Sequence, residues 1–229
     1  MPLRKHLVVL SGSGISQESG LATFRDSGGL WEGYDINEVA SINGWYADPQ
    51  KVLEFYNLRR KQAADSVPNE AHKAFATLEE QYDVSIVTQN VDNLHERGGS
   101  SNVLHLHGEL TKVRSVASDS EVFDIGSKEI HLGDTAPDGH QLRPYIVWFG
   151  EMVPMLEQAA EVVAKADILV VIGTSLVVYP AAGLVDYAQP DIPKYIIDPA
   201  TPELLSYQEW THIKEKAVTG TQKLLDFLL

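Results

Sequence analysis

Residues 168–173 read Ile-Leu-Val-Val-Ile-Gly, five apolar side chains in a row closed by a glycine. A strand with one wet face alternates apolar and polar residues, and this run does not. Both of its faces need cover, and a parallel sheet packed between layers of helix provides it. Four further β-branched runs fit the same sheet: His6–Ser11, Val84–Thr88, Val103–Leu106 and Lys194–Ile197, with the run above ending at Gly173. Helical stretches lie between them. Asp48-Pro49 reads as an N-cap followed by proline at the first helical position, and Asn69 caps a second helix. Pro180 starts a third, and Thr221–Leu229 is amphipathic. The alternation predicts an α/β, Rossmann-like parallel sheet with helices on both faces.

Two stretches break that alternation. Residues 28–66 are loop-rich and then helical, and 109–143 are polar with no clear period. They are expected to form a small inserted lobe beside a core of 1–27, 67–108 and 144–229, all within one domain of 229 residues. Ligands of open parallel sheets bind at the carboxyl ends of the strands, so the lobe would roof a cleft there.

Composition removes whole classes of chemistry. There is no cysteine, hence no disulfide, no thiol nucleophile and no thiolate metal site. Eighteen Lys and Arg stand against 32 Asp and Glu, a formal net charge of −14. Such a chain is not expected to bind nucleic acid, which is led by cations on phosphates. No apolar run approaches the ~20 residues of a membrane helix, so no membrane partner is expected. The basic, short apolar start lacks a clean cleavage pattern, which favours the cytoplasm. A monomer is the expected state.

The residues that carry chemistry come in six groups. Ser11-Gly-Ser-Gly-Ile-Ser16 follows a strand, and glycines there let backbone amides approach a pyrophosphate. Gln17 stands where the ordinary dinucleotide fingerprint has its third glycine, which disfavours a hydride-transfer enzyme. Thr23-Phe-Arg-Asp26 sets Phe24 and Arg25 in a glycine-flanked loop that runs on to Trp31. In isolation they read equally as a cofactor wall and phosphate ligand or as a core anchor and a solvated cation. Gln89, Asn90, Val91 and Asp92 sit at a strand's end, where amides and a carboxylate can read a carboxamide and ribose hydroxyls. In Val103-Leu-His-Leu-His-Gly108, strand periodicity puts His105 and His107 on one face. No third ligand has suitable spacing for a metal, and a histidine before a glycine reads better as a general base. The last two groups are Arg143–Glu151 and Gly173-Thr-Ser-Leu-Val-Val-Tyr-Pro180.

Taken together, GSGIS, TFRD, TQNVDNLH, LHG, VWFGE and GTSLVVYPAAG, in that order from Leu7 to Leu228, strongly resemble the sirtuins, the NAD-dependent protein lysine deacylases. The resemblance implies NAD as cofactor and acyl-lysine proteins or peptides as partners. The acyl oxygen displaces nicotinamide, His107 acts as base with Asn90 in the catalytic set, and 2′-O-acyl-ADP-ribose and free lysine result. It implies that Gly12, Ser13, Gly14, Ile15 and Ser16 hold the pyrophosphate side. Phe24 and Arg25 guard the reacting ribose, and Trp31 is a further cofactor-binding candidate. Gln89, Asn90, Val91 and Asp92 order ribose and nicotinamide, and Gly173, Thr174 and Ser175 take the adenosine end. Asp198 and Ala217, the latter read as a loop residue before the last helix, are the further adenosine candidates. Val147, Trp148, Phe149, Gly150 and Glu151, with Val177–Tyr179, would sandwich the substrate backbone as an added strand.

Tyr56 and Arg59 are i,i+3 on a predicted helix and share a face. A Tyr-x-x-Arg here resembles the subgroup that removes succinyl or malonyl groups, because a phenol and a guanidinium bind an acyl carboxylate. Most sirtuins hold a structural zinc with four cysteines between the His-Gly motif and the Phe-Gly-Glu strand. Residues 109–145 contain none, and Ser115 and Ser118 are poor substitutes. The expectation is no metal, with the lobe held by Val113, Val116, Val122, Phe123, Ile125, Ile130 and Leu132. His131 and His140 are its remaining candidate ligands. The alternatives to a deacylase are an ADP-ribosyltransferase and a non-catalytic NAD or ADP-ribose binding module.

Overall fold

Leu7 pairs with Val84 on one side and with Ile168 on the other, which makes His6–Ser11 the middle of the sheet. The computed structural model describes residues 4–22, 30–31, 33–201 and 210–229. In chain order the elements begin with β1 (His6–Ser11), α1 (Gly14–Gln17), β2 (Leu30–Trp31), β3 (Tyr34–Asp35), α2 (Ile36–Val39), α3 (Ile42–Ala47) and α4 (Pro49–Asp65). They continue with α5 (Glu70–Leu78), β4 (Asp83–Thr88), α6 (Leu94–Arg97), β5 (Val103–His105), β6 (Gly108–Ser115), β7 (Val122–Asp124) and β8 (Leu142–Ile146). Last come α7 (Leu156–Ala164), β9 (Ile168–Ile172), a 3-10 helix (Ala181–Tyr187), β10 (Lys194–Ile197), β11 (Thr211–Ile213) and α8 (Ala217–Leu228).

Six strands form one sheet in the order β11-β10-β9-β1-β4-β5, every pair parallel. Alternate residues of each strand enter opposite cores. Leu7, Val9, Ile86 and Val170 pack with Phe75 and Leu224 from α5 and α8. Val8, Leu10, Leu169 and Val171 pack with Val163 and Leu184 from α7 and the 3-10 helix. This is the two-faced burial that 168–173 demanded, and each such side chain contributes roughly 1.5–3 kcal/mol. Val170 is fully buried, so an ionised side chain there would cost several kcal/mol.

The second unit is antiparallel. β7, β6 and β8 form a three-stranded sheet, and α4 packs its Val52, Leu53, Phe55 and Tyr56 against Leu110, Val113 and Ile146 of that sheet. The helix starts where the sequence says. The Asp48 side chain accepts from Lys51 N at 3.0 Å and Pro49 follows at the first position. Two side chains of α4 bind the lobe directly. Arg60 Nε donates to Leu110 O at 2.6 Å, and its Nη1 to Asn57 Oδ1 at 2.7 Å. Asn57 in turn donates to Ile130 O at 2.8 Å and accepts from Ile130 N at 3.0 Å.

Several expectations need correction. β5 ends at His105 rather than Leu106, and β9 at Ile172, because Gly173 has φ +63°, which no strand residue adopts. The helix after Pro180 is 3-10 in kind. The last helix begins at Ala217, four residues earlier than expected, so Ala217 is a buried helical residue and not a loop residue. Residues 109–143 hold the lobe sheet, which their polar outer faces conceal. Val113, Phe123, Ile125 and Ile130 do pack in the lobe core, whereas Val116, Val122 and Leu132 are exposed.

Candidate active site

β1 is where the strand order turns back on itself: the chain leaves it for β4 on one side and returns to β9 on the other. The carboxyl ends of β1 and β9 therefore open a crevice, the usual ligand position in such sheets. Its floor is bare backbone. A Cβ at Gly12 would lie 2.7 Å from Thr174 Cβ, one at Gly14 2.7 Å from Gly173 Cα, and one at Gly173 2.4 Å from Ile15 N. The three glycines let two turns meet without side chains between them.

That close fit corrects one expectation. The amide of Gly12 donates to Ile172 O at 3.0 Å, that of Gly14 to Gly173 O at 2.8 Å and that of Ile15 to Gly12 O at 3.1 Å. These amides donate to backbone carbonyls in this structure. Gly14 and Ile15 lie beneath the cleft, with Ile15 fully buried in the core, while Gly12, Ser13 and Ser16 line it.

The loop after β4 supplies the polar wall. Gln89, Asn90, Val91 and Asp92 all line the cleft, opposite Gly173, Thr174 and Ser175. Gln89 Nε2 donates to Thr174 Oγ1 at 3.2 Å across the crevice. Asn90 Nδ2 donates to Ser16 Oγ at 3.1 Å, and Ser16 Oγ donates to Asp92 Oδ2 at 3.1 Å. Asp92 Oδ1 caps Leu94 N at 3.1 Å. Burial pushes the Asp92 carboxyl above the usual range, outweighing those two donors. Behind this wall, His95 Nε2 lies 2.9 Å from Ser11 Oγ, which donates to Thr88 Oγ1 at 2.8 Å.

His107 lines the same cleft, and its Nδ1 donates to Gln89 O at 3.1 Å. A carbonyl only accepts, so the proton sits on Nδ1 and the Nε2 lone pair is left as the base. Burial lowers its pKa, with the Gln89 bond partly opposing, so the ring is neutral near pH 7. His105 turns elsewhere. The strand stops at that residue, so the same-face rule fails, and His105 bonds Asn90 O at 3.0 Å and Glu96 Oε1 at 2.7 Å.

Tyr56 and Arg59 both line the cleft from α4, and both are buried. Trp148 Nε1 donates to the Tyr56 hydroxyl at 3.0 Å. Burial drives the phenol's pKa far upward, so it stays protonated. The segment 147–151 lies alongside. Val147 N donates to His107 O, Phe149 N to Ala40 O, Glu151 N to Trp148 O and Trp148 N to Glu151 Oε2. Those four amides are unavailable to an added strand, which narrows the expected edge. Glu151 also turns inward, to Arg143, by two bonds of 2.6 and 2.9 Å. Phe149 and Tyr179 form an exposed apolar rim; Met152 and Val177 are also exposed but stand outside the cleft itself.

Asp198 and Ala217 do not line this cleft, and Phe24, Arg25 and the side chain of Trp31 lie outside the described residues. His131 and His140 are exposed and sit beside Glu129 and Asp138. Among the described residues, the titratable groups that do converge are Glu96, His105 and Glu109. Glu109 is paired with Lys112 at 2.6 Å, and 2.7 Å between His105 and Glu96 is a hydrogen bond. Arg143, Asn57 and Arg60 carry no role in the sequence reading, and Trp148 carries one only as part of the expected substrate strand. The Asn-x-x-Arg spacing at 57–60, one step on from Tyr56 and Arg59, was the available signal for Asn57 and Arg60.

The Sir2 family model matches residues 12–180. The chain belongs to the Sir2 family. This Sir2 protein is 55% identical over 225 residues to a protein of Helicobacter pylori (strain J99) named NAD-dependent protein deacylase, covering 98% of this chain and 96% of that one. A Bacteroides thetaiotaomicron protein of the same name is 48% identical over 230 residues, covering 98% of each. A solved Sir2 homolog–NAD complex superposes with a TM-score of 0.88 at 39% identity, over 98% of this chain and 90% of that one. A Sir2–p53 peptide–NAD+ structure gives 0.81 at 27% identity, over 98% and 93%. The parallel sheet with its small antiparallel lobe is the architecture this Sir2 protein shares with them.

Proposed function

We propose that this cleft removes acidic acyl groups, succinyl or malonyl, from protein lysines in an NAD-dependent reaction. The coarser statement, NAD-dependent protein deacylation, is supported by relatives that match along nearly the whole chain. NAD fits the site: the side-chain-free floor at Gly12, Gly14 and Gly173 and the polar wall of Ser16, Gln89, Asn90 and Asp92 suit a dinucleotide. When bound it supplies an electrophilic ribose carbon and a nicotinamide leaving group.

The chain's own residues do the rest. His107, neutral and with its Nε2 lone pair free by tautomer, takes a proton from a ribose hydroxyl. Asn90, Ser16 and Asp92 orient polar groups around it. The apolar rim excludes water from the reacting carbon and receives the peptide.

The observation that carries the acyl preference is the placement of Tyr56 and Arg59. A buried phenol and a buried guanidinium face the cleft that holds His107. An acetyl group offers neither of them a partner, and an acyl carboxylate offers both a charge-assisted hydrogen bond. Mass spectrometry of matched succinyl-lysine and acetyl-lysine peptides, with and without NAD, tests this. Loss of succinyl with appearance of succinyl-ADP-ribose is expected only with NAD. Arg59→Met should lower desuccinylation by about 100-fold, from charge-assisted bonds of 1.5–3 kcal/mol each, and deacetylation far less. Equal losses on both peptides overturn the reading.

A further inference from the structure

We infer that Trp148 sets the hydrogen-bond polarity of Tyr56, and so makes the far end of the acyl pocket selective for groups that accept a hydrogen bond. This rests on the acidic-acyl reading and names the residue that enforces it.

An indole N–H only donates, so at 3.0 Å from Trp148 Nε1 the Tyr56 oxygen is the acceptor. The phenol's single proton is thereby directed away from the indole. Among the described residues nothing accepts it, and the Tyr56 ring lines the cleft next to Arg59. Burial keeps the phenol from ionising, so it keeps that proton to donate. Among the described residues, the pocket end therefore presents the Tyr56 O–H and the Arg59 guanidinium, whose Nη1 also donates to Gln62 Oε1 at 3.2 Å. A carboxylate satisfies both.

Trp148 is held in the orientation this needs. The Arg143 guanidinium carbon lies 3.4 Å from the centroid of the indole ring. Arg143 is fixed by Glu151, whose Oε2 also accepts the Trp148 backbone N–H at 2.9 Å. Trp45 packs near the indole, 5.4 Å between ring centroids. A cation over the ring face draws on the π-system and strengthens the N–H as a donor. Without the indole N–H, the phenol is free to turn its lone pairs toward the acyl group, where they repel a carboxylate.

The test is the ratio of kcat/KM for succinyl-lysine to that for acetyl-lysine in wild type, Trp148→Phe, Tyr56→Phe and the double variant. Trp148→Phe keeps an aromatic face for Arg143 and deletes the N–H. The ratio should fall about 5- to 10-fold, the worth of one oriented hydrogen bond, chiefly through a raised KM for the succinyl peptide. In the Tyr56→Phe background the same change should move the ratio by less than about twofold, because the two residues act as one unit. A succinyl preference that survives Trp148→Phe overturns this inference alone. So does a fall of the same size in both backgrounds. A wild type that removes acetyl at least as fast overturns the acidic-acyl reading and this inference with it. Should Trp148→Phe fail to fold, benzothienylalanine at 148 keeps the ring's outline, lacks the N–H and is held to the same outcomes.

Discussion

Glu96 Oε1 lies 2.7 Å from Nε2 of His105, and that contact moves the pKa of His105 in the opposite direction to that of His107. Both rings donate Nδ1–H to consecutive carbonyls of one loop, His105 to Asn90 and His107 to Gln89. Burial lowers the pKa of both. For His105 the Glu96 carboxylate outweighs burial and the net shift is upward. His107 has only the Gln89 carbonyl to oppose burial, and its net shift is downward. One histidine is biased toward the protonated form by its carboxylate partner while the other is biased toward the neutral form a base needs.

The pH profile follows from this. A base acts when deprotonated, and a lowered pKa keeps His107 deprotonated to a lower pH than usual. The acid limb of kcat/KM should therefore fall with a midpoint below the ordinary histidine value of 6.5. Ring NMR titrations should place His105 above 6.5 and His107 below it. Glu96→Gln should bring His105 down and leave the direction at His107 unchanged. An acid limb above 6.5 contradicts the assignment of His107 as the base.

Asp92→Asn should raise stability while lowering turnover. Burial lifts the folded-state pKa of Asp92 above its unfolded value, so the ionised form destabilises the fold at neutral pH, and that cost fades as pH falls through the folded pKa. Asparagine has the same outline and still accepts from Leu94 N. Calorimetry at pH 7.5 should show Tm higher by about 2–4 °C, the shift for roughly 1 kcal/mol in a chain of this size. Turnover should drop by at least about 10-fold, since a negative charge is lost from the cleft wall.

Mild acid should unfold the protein by way of a buried pair of histidines. His72 and His95 lie edge to face, 5.0 Å between ring centroids, and both are buried. Burial lowers His72 to about 4 and His95 well below its ordinary value. The unfolded chain binds protons at these sites from about pH 6.5 downward and the folded one does not. Stability is complete above pH 6.5 and is lost as pH falls toward 4, by about 3 kcal/mol for His72 alone. His72→Gln should flatten the dependence of urea midpoint on pH in that window; an unchanged slope excludes His72 as its source.

The lobe should be sensitive to one arginine and indifferent to chelators. Arg60 is almost fully buried, and burial lowers its pKa to about 10. Its bonds to Leu110 O and Asn57 join α4 to the lobe sheet. Arg60→Ala leaves that carbonyl unsatisfied and a void, and should cost about 3–5 kcal/mol in urea unfolding. EDTA should leave Tm within about 1 °C of its starting value, whereas a metal-held lobe would unfold. A large EDTA shift would assign the lobe's stability to a metal.

What the sequence revealed divides by range. Ile168–Ile172 and His6–Ser11 were readable because burial on two faces leaves no polar residue to place. Tyr56 and Arg59 were readable because i,i+3 on a helix fixes a shared face before any tertiary contact exists. Asn57 and Arg60 have the same spacing, but their partners are backbone carbonyls at Ile130 and Leu110, in a stretch without a period. The Gly14 amide looked open because its acceptor, Gly173 O, is 159 residues away in the chain. For Trp148, the sequence displayed an indole in a motif; only its partner oxygen on Tyr56 tells which way a proton points.

The central strand has to wait for its second neighbour. β1 pairs with β4 and with β9, and in the second pairing Leu7 meets Ile168. On the ribosome, Leu7–Leu10 therefore keep an open hydrogen-bonding edge until some 160 further residues have been made. The crevice between Gly12 and Gly173 does not exist before that moment. A nascent chain halted before Ile168 carries His107 and the whole polar loop but no completed dinucleotide floor, and presents one edge of β1 as an open template. Until β9 docks, aggregation through that open edge competes with folding.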